Sequence, residues 1–276
     1  MGLQLWYSKI TGNRRKGTTF SELQDIFIDN ITTKFIYEPL ACCEINDSTN
    51  EVKNLMTQKD FDILGVTKDN NAIGYIRRKD LDHNSVEQYL QFNTTNIISD
   101  STPIAELFDL LSEKGYIFVL VKNKVDGIVT KADINKPIVR IYLFGIISLF
   151  ELNLNYWINE YYDTATKWEK LIKKRRFEIA QQLFKERQGQ NLDLSILECL
   201  QLCDKREILR QTDAFLEKFK YSKSRFKEFV TDVEKVRNEI AHSQSSIIAN
   251  LPWERFVSTI NDIKSFLSQS EIEITK

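Results

Sequence analysis

The sequence is poor in histidine and cysteine, the residue types that most metal and disulfide sites need. Its 276 residues contain two histidines, His83 and His242, which excludes a histidine-rich metal site. The four cysteines are Cys42, Cys43, Cys199 and Cys203. An adjacent pair and a pair four residues apart indicate neither a disulfide framework nor a complete zinc site, and they suit a reducing cytoplasm. We expect the later pair to lie one turn apart on one helix and to fill its core.

Long apolar runs and an excess of charge are also lacking. The formal net charge is −1, so no global basic field attracts nucleic acid, and an RNA site would have to be a local patch. The longest apolar run, residues 141–150, falls short of the roughly 20 residues that span a bilayer, and the first residues lack the apolar core of a signal peptide. The composition predicts a cytoplasmic protein of two domains, without a membrane segment.

A pattern of strand, helix, strand, strand and helix start occurs twice within residues 1–136. DILGVTKDNNAIGYIRRKD at residues 62–80 aligns with YIFVLVKNKVDGIVTKAD at residues 116–133. Capping boxes are predicted at residues 19–22 and 48–51, and Thr102 is predicted as an N-cap followed by Pro103 as the first helical residue. An Asn-Asn turn is expected in the first hairpin. The repeat predicts two small α+β modules, at about residues 20–90 and 91–136, packed face to face.

The last strand of the second copy ends in a short motif, Gly127-Ile128-Val129-Thr130-Lys131-Ala132-Asp133. With the repeat, this motif resembles a tandem pair of CBS domains, also called a Bateman module. The resemblance implies an adenine nucleotide as a regulatory ligand, with the Thr130 hydroxyl on phosphate and the Asp133 carboxylate on the ribose hydroxyls. A hydroxyl at a helix N-terminus suits phosphate. In the first copy Asp80 occupies the acidic position, but Arg77 stands where the family has a hydroxyl residue.

Alternatives remain open for this half. The arginine at position 77 can either pair with a phosphate or fill the pocket, so we predict the nucleotide at Thr130 and Asp133, with Asp80 as a second position. Thr130 and Asp133 can also merely cap a helix. Many modules of this family bind nothing and act as dimerisation surfaces, which is a further outcome that the resemblance implies.

From residue 137 onward the periodic segments are helical. A helix over about residues 138–162 is predicted to connect the halves and to be largely buried. Residues 167–187 carry eight Lys or Arg and three Glu. We interpret them as a solvated helix with one cationic face, or alternatively as a contact for an RNA backbone. Residues 194–211 are predicted as one helix, and a last helix is expected from Trp253.

Residues 226–241 form the clearest amphipathic helix of the sequence. Apolar residues recur at steps of three and four and predict a buried stripe: Phe226, Phe229, Val230, Val233, Val236 and Ile240. The charged residues between them are expected on the exposed face: Asp232, Glu234, Lys235 and Glu239. The helix is predicted to end near Ala241, where a Ser-rich stretch follows.

The end of this helix reads Arg237-Asn238-Glu239-Ile240-Ala241-His242. It resembles the R-N-x-x-x-H motif of HEPN domains, all-α units of which many are metal-independent endoribonucleases acting as homodimers. The resemblance covers about residues 140–270 and implies that Arg237, Asn238 and His242 are catalytic, with no metal. Relatives controlled by tyrosine nucleotidylation carry His-x-Tyr, and this chain has Gln244 at that position, so we do not expect that control.

The residue types fit RNA cleavage by the 2′-hydroxyl. Histidine exchanges a proton near neutral pH, and arginine holds the charged phosphate. Positions five apart on a straight helix point roughly 140° away from each other, so Arg237 and His242 need either the helix end or a second subunit to converge. The structural alternative is a histidine that favours the helix dipole and an arginine paired with Glu234 or Glu239.

Together these patterns predict an α+β CBS pair of two βαββα repeats over residues 1–136 and an all-α HEPN bundle over residues 137–276. The implied function is a nucleotide-regulated endoribonuclease, a conditional toxin or antiviral defence effector, acting on RNA as a homodimer. No cofactor is expected for catalysis. The alternative is a non-catalytic dimeric regulator whose CBS pair senses an adenine nucleotide and whose helical domain binds a protein partner.

Overall fold

The computed structural model describes residues 6–7, 14–15, 19–82, 85–188, 195–242 and 246–276. Its strands in these ranges are β1 (Trp6–Tyr7), β2 (Arg14–Arg15), β3 (Glu38–Pro39), β4 (Cys42–Glu44), β5 (Ile63–Lys68), β6 (Asn71–Arg77), β7 (Ile97–Ser99), β8 (Tyr116–Val121) and β9 (Lys124–Thr130). The first two strands pair antiparallel. The other seven lie in the region of the two repeat copies.

The α-helices of the described ranges are α1 (Phe20–Asn30), α2 (Thr49–Lys59), α3 (Ile104–Lys114), α4 (Pro137–Tyr161), α5 (Ala165–Trp168), α6 (Lys174–Gln188), α7 (Leu202–Arg210), α8 (Asp213–Lys218), α9 (Lys223–Ala241) and α10 (Trp253–Thr275). Short 3₁₀ helices cover Thr33–Phe35, Arg78–Asp82, Val86–Gln88, Lys131–Asn135, Glu169–Leu171 and Ile196–Cys199. The N-terminal part is therefore α+β and the C-terminal part largely helical, as predicted.

The chain divides into two compact units, an α+β unit over Phe27–Ile138 and a helical unit of Val139–Lys276 joined by the described residues up to Ile26. This division differs from the predicted boundary after residue 136, because the start of α1 belongs with the helical unit. The Glu271 carboxylate of α10 accepts hydrogen bonds from the Phe20 and Ser21 amides and from the Ser21 hydroxyl. Helix α4 runs across the boundary, at the predicted position of the connecting helix.

Both repeat copies have the same strand arrangement. In the first, β4 pairs parallel with β5, and β5 pairs antiparallel with β6. In the second, β7, β8 and β9 repeat this order, and β3 adds an edge strand beside β9. Each hairpin has a register shift at an equivalent place, after Val66 and after Val119. The internal repeat inferred from the sequence is therefore present in the backbone.

Several predicted local details are different in the structure. The first hairpin turns at Asp69 and Asn70, whose φ angles of 53° and 59° are left-handed, so the expected Asn-Asn turn was wrong by one residue. The side chain of Ser48 makes no capping bond, and α3 is capped by Pro103 instead of Thr102. The Thr102 carbonyl instead accepts from the amide and hydroxyl of Thr33, next to an isolated antiparallel bridge between Thr32 and Pro103. The capping box predicted at residues 19–22 is confirmed by bonds of 3.0 and 2.9 Å.

The helical unit is organised around α4. A buried hydrogen-bonded chain joins this helix to α10, because the Trp157 indole donates to Ser270 Oγ at 2.7 Å and Ser270 donates to Asn153 Oδ1 at 2.6 Å. The ring of Phe150 packs edge-on against Phe229 of α9 and Phe266 of α10. By length and composition α4 could cross a membrane, although half of its most apolar window is buried inside the protein. The ten-residue apolar run of the sequence therefore understates the length over which this helix is apolar.

Two predicted features of the helical unit were wrong. Asp232 and Glu239 are buried, at 4% and 7% exposure, because each carboxylate has a partner that satisfies it. Asp232 pairs with Arg255 at 2.5 Å, and Glu239 accepts from Asn250. Residues 194–211 are not one helix either. A 3₁₀ turn over Ile196–Cys199 is followed by an extended Leu200 before α7 begins, so Cys199 and Cys203 do not share a helix.

Candidate nucleotide pocket and helix-end site

The motif of the second copy lies at the junction of β9 and the Lys131–Asn135 turn, where it forms a capping box. The Thr130 amide and hydroxyl both donate to Asp133 Oδ2, at 2.7 and 3.0 Å, and the Ala132 amide donates to the Thr130 hydroxyl at 3.3 Å. Lys136 pairs with the other carboxylate oxygen at 2.8 Å. With 6% of Asp133 exposed, both of its oxygens are occupied by protein donors, as the capping alternative predicts.

The motif of the first copy is closed by an internal ion pair. The Arg77 guanidinium donates to both oxygens of Asp80, through Nε at 2.6 Å and Nη2 at 3.1 Å. This hydrogen bond is the main reason that the pKa of Arg77 is raised above its ordinary value. A ribose at Asp80 would have to compete with a bidentate, charge-assisted contact.

A cavity of about 840 Å³ opens beside Arg77, and neither Asp80, Thr130 nor Asp133 lines it. Its walls come from both repeat copies: Lys53, Thr57, Asp62, Ile63, Tyr75, Arg77, Arg78, Lys79, Asp82, Asn93, Asn96, Lys114 and Tyr116. Five of these residues are Lys or Arg and two are Asp. The cavity is large enough for a nucleotide-sized molecule, and its lining has an excess of positive charge.

The excess charge is not neutralised within the wall. Both aspartates are paired, Asp82 with Lys53 and Asp62 with Arg78. Among the described residues no carboxylate pairs with Lys79, and Lys114 donates to the neutral backbone and hydroxyl oxygens of Thr95 at 2.5 Å. An anionic group in the cavity would therefore meet cations whose charge is still available.

Two tyrosines, Tyr75 and Tyr116, also line the cavity. Tyr75 and Tyr116 bring their hydroxyl oxygens to 3.3 Å, and Tyr75 stacks on Phe92 at 5.8 Å between ring centroids. Burial, and then the hydrogen bond with Tyr75, raises the pKa of Tyr116 to about 12, so the Tyr116 hydroxyl is neutral near pH 7. Flat apolar rings beside cations suit a ligand that combines a planar base with phosphate.

Sequence reasoning missed most of this cavity. Its lining residues come from α2, β5 and the residue before it, β6, the Arg78–Asp82 turn, the loop before β7, α3 and β8, and no local pattern relates these segments. The signal available was the basic run of Arg77, Arg78 and Lys79, of which we interpreted Arg77 alone, as a departure from the family motif. All three residues line the cavity.

The second candidate site is the end of α9. The helix ends at Ala241, as predicted, and His242 is its C-cap, with its amide donating to the Asn238 carbonyl at 3.0 Å. His242 and Asn238 are exposed, and Arg237 is half-buried. Arg237 Nη2 donates to Asn238 Oδ1 at 3.1 Å. The three motif residues therefore meet solvent at one helix end.

The structural alternative for this arginine is not observed. Glu234 lies 3.5 Å from Arg206, and Glu239 is bonded to Asn250. Within the part of the chain that the structure describes, no carboxylate pairs with Arg237. Its guanidinium is therefore available to an incoming anion. Gln244, on which we based the absence of control by tyrosine nucleotidylation, lies outside the described residues.

Within residues 19–82, 85–188, 195–242 and 246–276, no group of three or more His, Cys, Asp or Glu could hold a metal ion. Burial raises the pKa of the Cys199 and Cys203 thiols, which disfavours the thiolate form that binds metals.

Comparison with known proteins identifies part of the α+β unit. Residues 95–140 match the family model of the CBS domain, so a CBS domain is present in the second repeat copy. A search of curated proteins found no match.

Three solved structures are similar to a part of this chain. CBSX2, solved in complex with AMP, has 20% identity and a TM-score of 0.35, and the match covers 40% of this chain and 97% of that one. The CBS domain pair of protein MJ0100, solved with 5′-methylthioadenosine and S-adenosyl-L-methionine, has 18% identity and a TM-score of 0.33 over 40% and 98% of the chains. An uncharacterized conserved protein from Pyrococcus horikoshii has 21% identity and a TM-score of 0.34 over 38% and 90%.

Proposed function

We propose that this chain is a nucleotide-regulated, metal-independent endoribonuclease of the HEPN type, active as a homodimer. The observation that supports the enzymatic part is the end of α9, where Arg237, Asn238 and His242 share one solvent-exposed helix end and the arginine has no carboxylate partner among the described residues. A merely structural helix end has no need to combine an exposed imidazole with a guanidinium that no described carboxylate neutralises.

The chemistry needs no group beyond these side chains and the RNA itself. The imidazole of His242 takes the proton of the attacking 2′-hydroxyl or returns a proton to the leaving 5′-oxygen. The guanidinium of Arg237 stabilises the negative charge that develops on the phosphate, and the Asn238 amide holds the guanidinium in place. Since one helix end offers a single imidazole, two subunits would supply the separate base and acid.

We propose the cavity beside Arg77 as the regulatory site, with an adenine nucleotide as its ligand. A nucleotide at Thr130 and Asp133 would have to break the capping box and the Lys136 ion pair, whereas the cavity already exists and is basic. In this arrangement Tyr75 and Tyr116 face the base and Lys79 and Lys114 face the phosphates. A toxin or defence effector whose cleavage depends on nucleotide levels would use such a sensor.

The rival function is a non-catalytic dimeric regulator that senses the same nucleotide and binds a protein partner. The basic cavity supports it equally well, because the cavity says nothing about cleavage. The two functions are separated by incubating total RNA with the full chain in EDTA, with and without adenine nucleotides. His242→Ala is tested beside it, together with a control variant, Lys220→Ala, at an exposed position distant from His242 in the sequence.

Cleavage that survives EDTA and Lys220→Ala but is lost in His242→Ala would establish the enzyme. A change in that cleavage on adding AMP, ADP or ATP would establish the sensor. Intact RNA in every reaction, together with nucleotide binding to the full chain, would leave the regulator as the function.

A further inference from the structure

Helix α6 and the turn before it carry a concentrated positive charge on the surface of the helical unit. Residues 167–187 contain eight Lys or Arg and three Glu. Six of the cations are exposed and have at most a weak partner among the described residues: Lys170, Lys173, Lys174, Arg175, Lys185 and Arg187. The nearest contact, between Lys174 and Glu178, is 3.9 Å long with both side chains exposed, and such a pair contributes little.

The first turn of α6 is nevertheless held in a defined position. Trp168 is 2% exposed and packs edge-on against Phe177 at 5.7 Å. Arg176 donates to both oxygens of Asp204, at 2.9 and 2.8 Å, and to Gln201 at 2.6 Å. These contacts fix the turn that contains residues 173–175, so its cations form a preorganised surface rather than a loose tail.

A chain of side-chain contacts links this turn, through α7, to α9. Arg176 is bonded to Asp204 at the start of α7, and Arg206 of α7 is 2.8 Å from Thr231 and 3.5 Å from Glu234 of α9. Glu234 is one helical turn before Asn238. The pKa of Arg176 is raised, chiefly by its hydrogen bond to Asp204 and in smaller part by the charge of Glu234, which agrees with this proximity.

We propose that Lys173, Lys174 and Arg175 form a phosphate-binding surface that positions RNA for the Arg237–His242 helix end. The inference rests on the proposed ribonuclease function for its biological meaning, but the surface itself is testable by binding alone. The whole chain has a near-zero net charge, so its overall electrostatic field does not attract RNA to the site. Binding of RNA therefore needs a local cationic surface. Binding of this kind releases counterions and depends steeply on salt.

The test measures binding in the absence of cleavage. The full chain carrying His242→Ala is titrated onto a fluorescein-labelled single-stranded RNA of about 20 nucleotides, with anisotropy recorded from about 50 to 200 mM salt. The test variant adds Lys173→Glu, Lys174→Glu and Arg175→Glu. The matched control adds Lys220→Glu, Lys223→Glu and Lys227→Glu, an identical charge change around the opposite end of α9, where residues 223 and 227 lie about 28 and 22 Å from His242 along the helix.

We expect the test variant to bind at least tenfold more weakly than the control at about 50 mM salt. The slope of log K against log salt should fall by about 2, because three phosphate contacts on a single strand each contribute about 0.7. Equal affinity and slope in the two variants would overturn the proposal. The proposal would also be overturned if both variants kept their RNA affinity while anionic phospholipid vesicles bound through the same three residues.

The proposal and the ribonuclease function fail in distinguishable ways. If the wild-type chain cleaves RNA and the three α6 substitutions leave the cleavage rate unchanged, the phosphate-binding surface is refuted and the ribonuclease function stands. Loss of RNA binding in the α6 variant, with no cleavage by the wild type, would keep the surface and remove the enzyme. Circular dichroism of each variant checks that the helices are intact.

Discussion

A buried ion pair between α4 and α7 gives a quantitative test of how the helical unit is held together. Lys205 is 2% exposed, and its ammonium lies 2.6 Å from Glu151 Oε1, whose side chain is 27% exposed. Removing one partner of a buried pair costs about 3–5 kcal/mol, because the other charge is left without water or a counterion. The two ends of this pair are unequal, since only the carboxylate can reach solvent.

The inequality predicts an asymmetric result. Glu151→Ala leaves the Lys205 ammonium buried and unpaired, so we expect the unit to lose about 3 kcal/mol of unfolding free energy. Lys205→Met leaves a carboxylate that water can reach and places a methionine of similar length in the core, so the loss should be about 1 kcal/mol or less. The double variant should be more stable than Glu151→Ala alone.

Tryptophan fluorescence is a selective assay for this unit. All four tryptophans, Trp6, Trp157, Trp168 and Trp253, lie outside Phe27–Ile138, so urea unfolding followed by their emission reports the helical unit. With a slope of about 2 kcal/mol per molar urea, a loss of 3 kcal/mol lowers the midpoint by about 1.5 M.

A surface pair serves as the control for this experiment. Asp163→Ala breaks a contact with Lys167 in which the two side chains are 70% and 59% exposed, and it should leave the urea midpoint almost unchanged. Equal losses for Glu151→Ala and Lys205→Met, or a loss for Glu151→Ala no larger than that for the control, would refute the reasoning from burial.

Three further predictions concern the sites and the core. His242→Ala should lower RNA cleavage by at least about 100-fold, since general acid–base catalysis contributes that much, while leaving the urea midpoint unchanged; equal cleavage would contradict the assignment. Lys114→Met should weaken adenine nucleotide binding about tenfold by calorimetry, because a charge-assisted hydrogen bond to phosphate is lost, whereas Lys124→Met at the exposed start of β9 should not; the reverse ranking would place the ligand elsewhere. Ser270→Ala should destabilise the helical unit by about 1–3 kcal/mol, because the Trp157 indole then lacks its acceptor; an unchanged urea midpoint would mean that water replaces the hydroxyl.

The sequence predicted the elements whose burial is periodic and missed those whose limits depend on tertiary contacts. The stripe of α9 is a case of success, since Phe226, Phe229, Val230, Val233 and Val236 are buried, although Ile240 at its end is only partly buried. The break before α7 is a case of failure, because apolar residues continue through it at helical spacing. Its signal was local and overlooked, namely capping boxes from Ser195 to Glu198 and from Gln201 to Asp204.

The buried charges of α9 could not be predicted in this way. Asp232 and Glu239 occupy positions that periodicity assigns to the exposed face, and their burial depends on partners far away in sequence. Arg255 is 23 residues from Asp232, and Asn250 is 11 residues from Glu239. A periodic pattern records the polarity of one helix, whereas the burial of a carboxylate depends on whether another element brings a donor to it.

The same distinction, between local pattern and contacts from other elements, applies to the candidate sites. The R-N-x-x-x-H segment lies on one helix end, so its exposure follows from where α9 stops, and the Ser-rich stretch predicted that end. A Thr and an Asp three residues apart satisfy equally the requirements of a capping box and of a nucleotide site, so the sequence alone could not choose between the two. The structure favours the cap, because three protein donors already occupy the two oxygens of Asp133. The unneutralised cations lie instead around Arg77, where the motif departs from its family, and it is there that a phosphate would gain the most from binding.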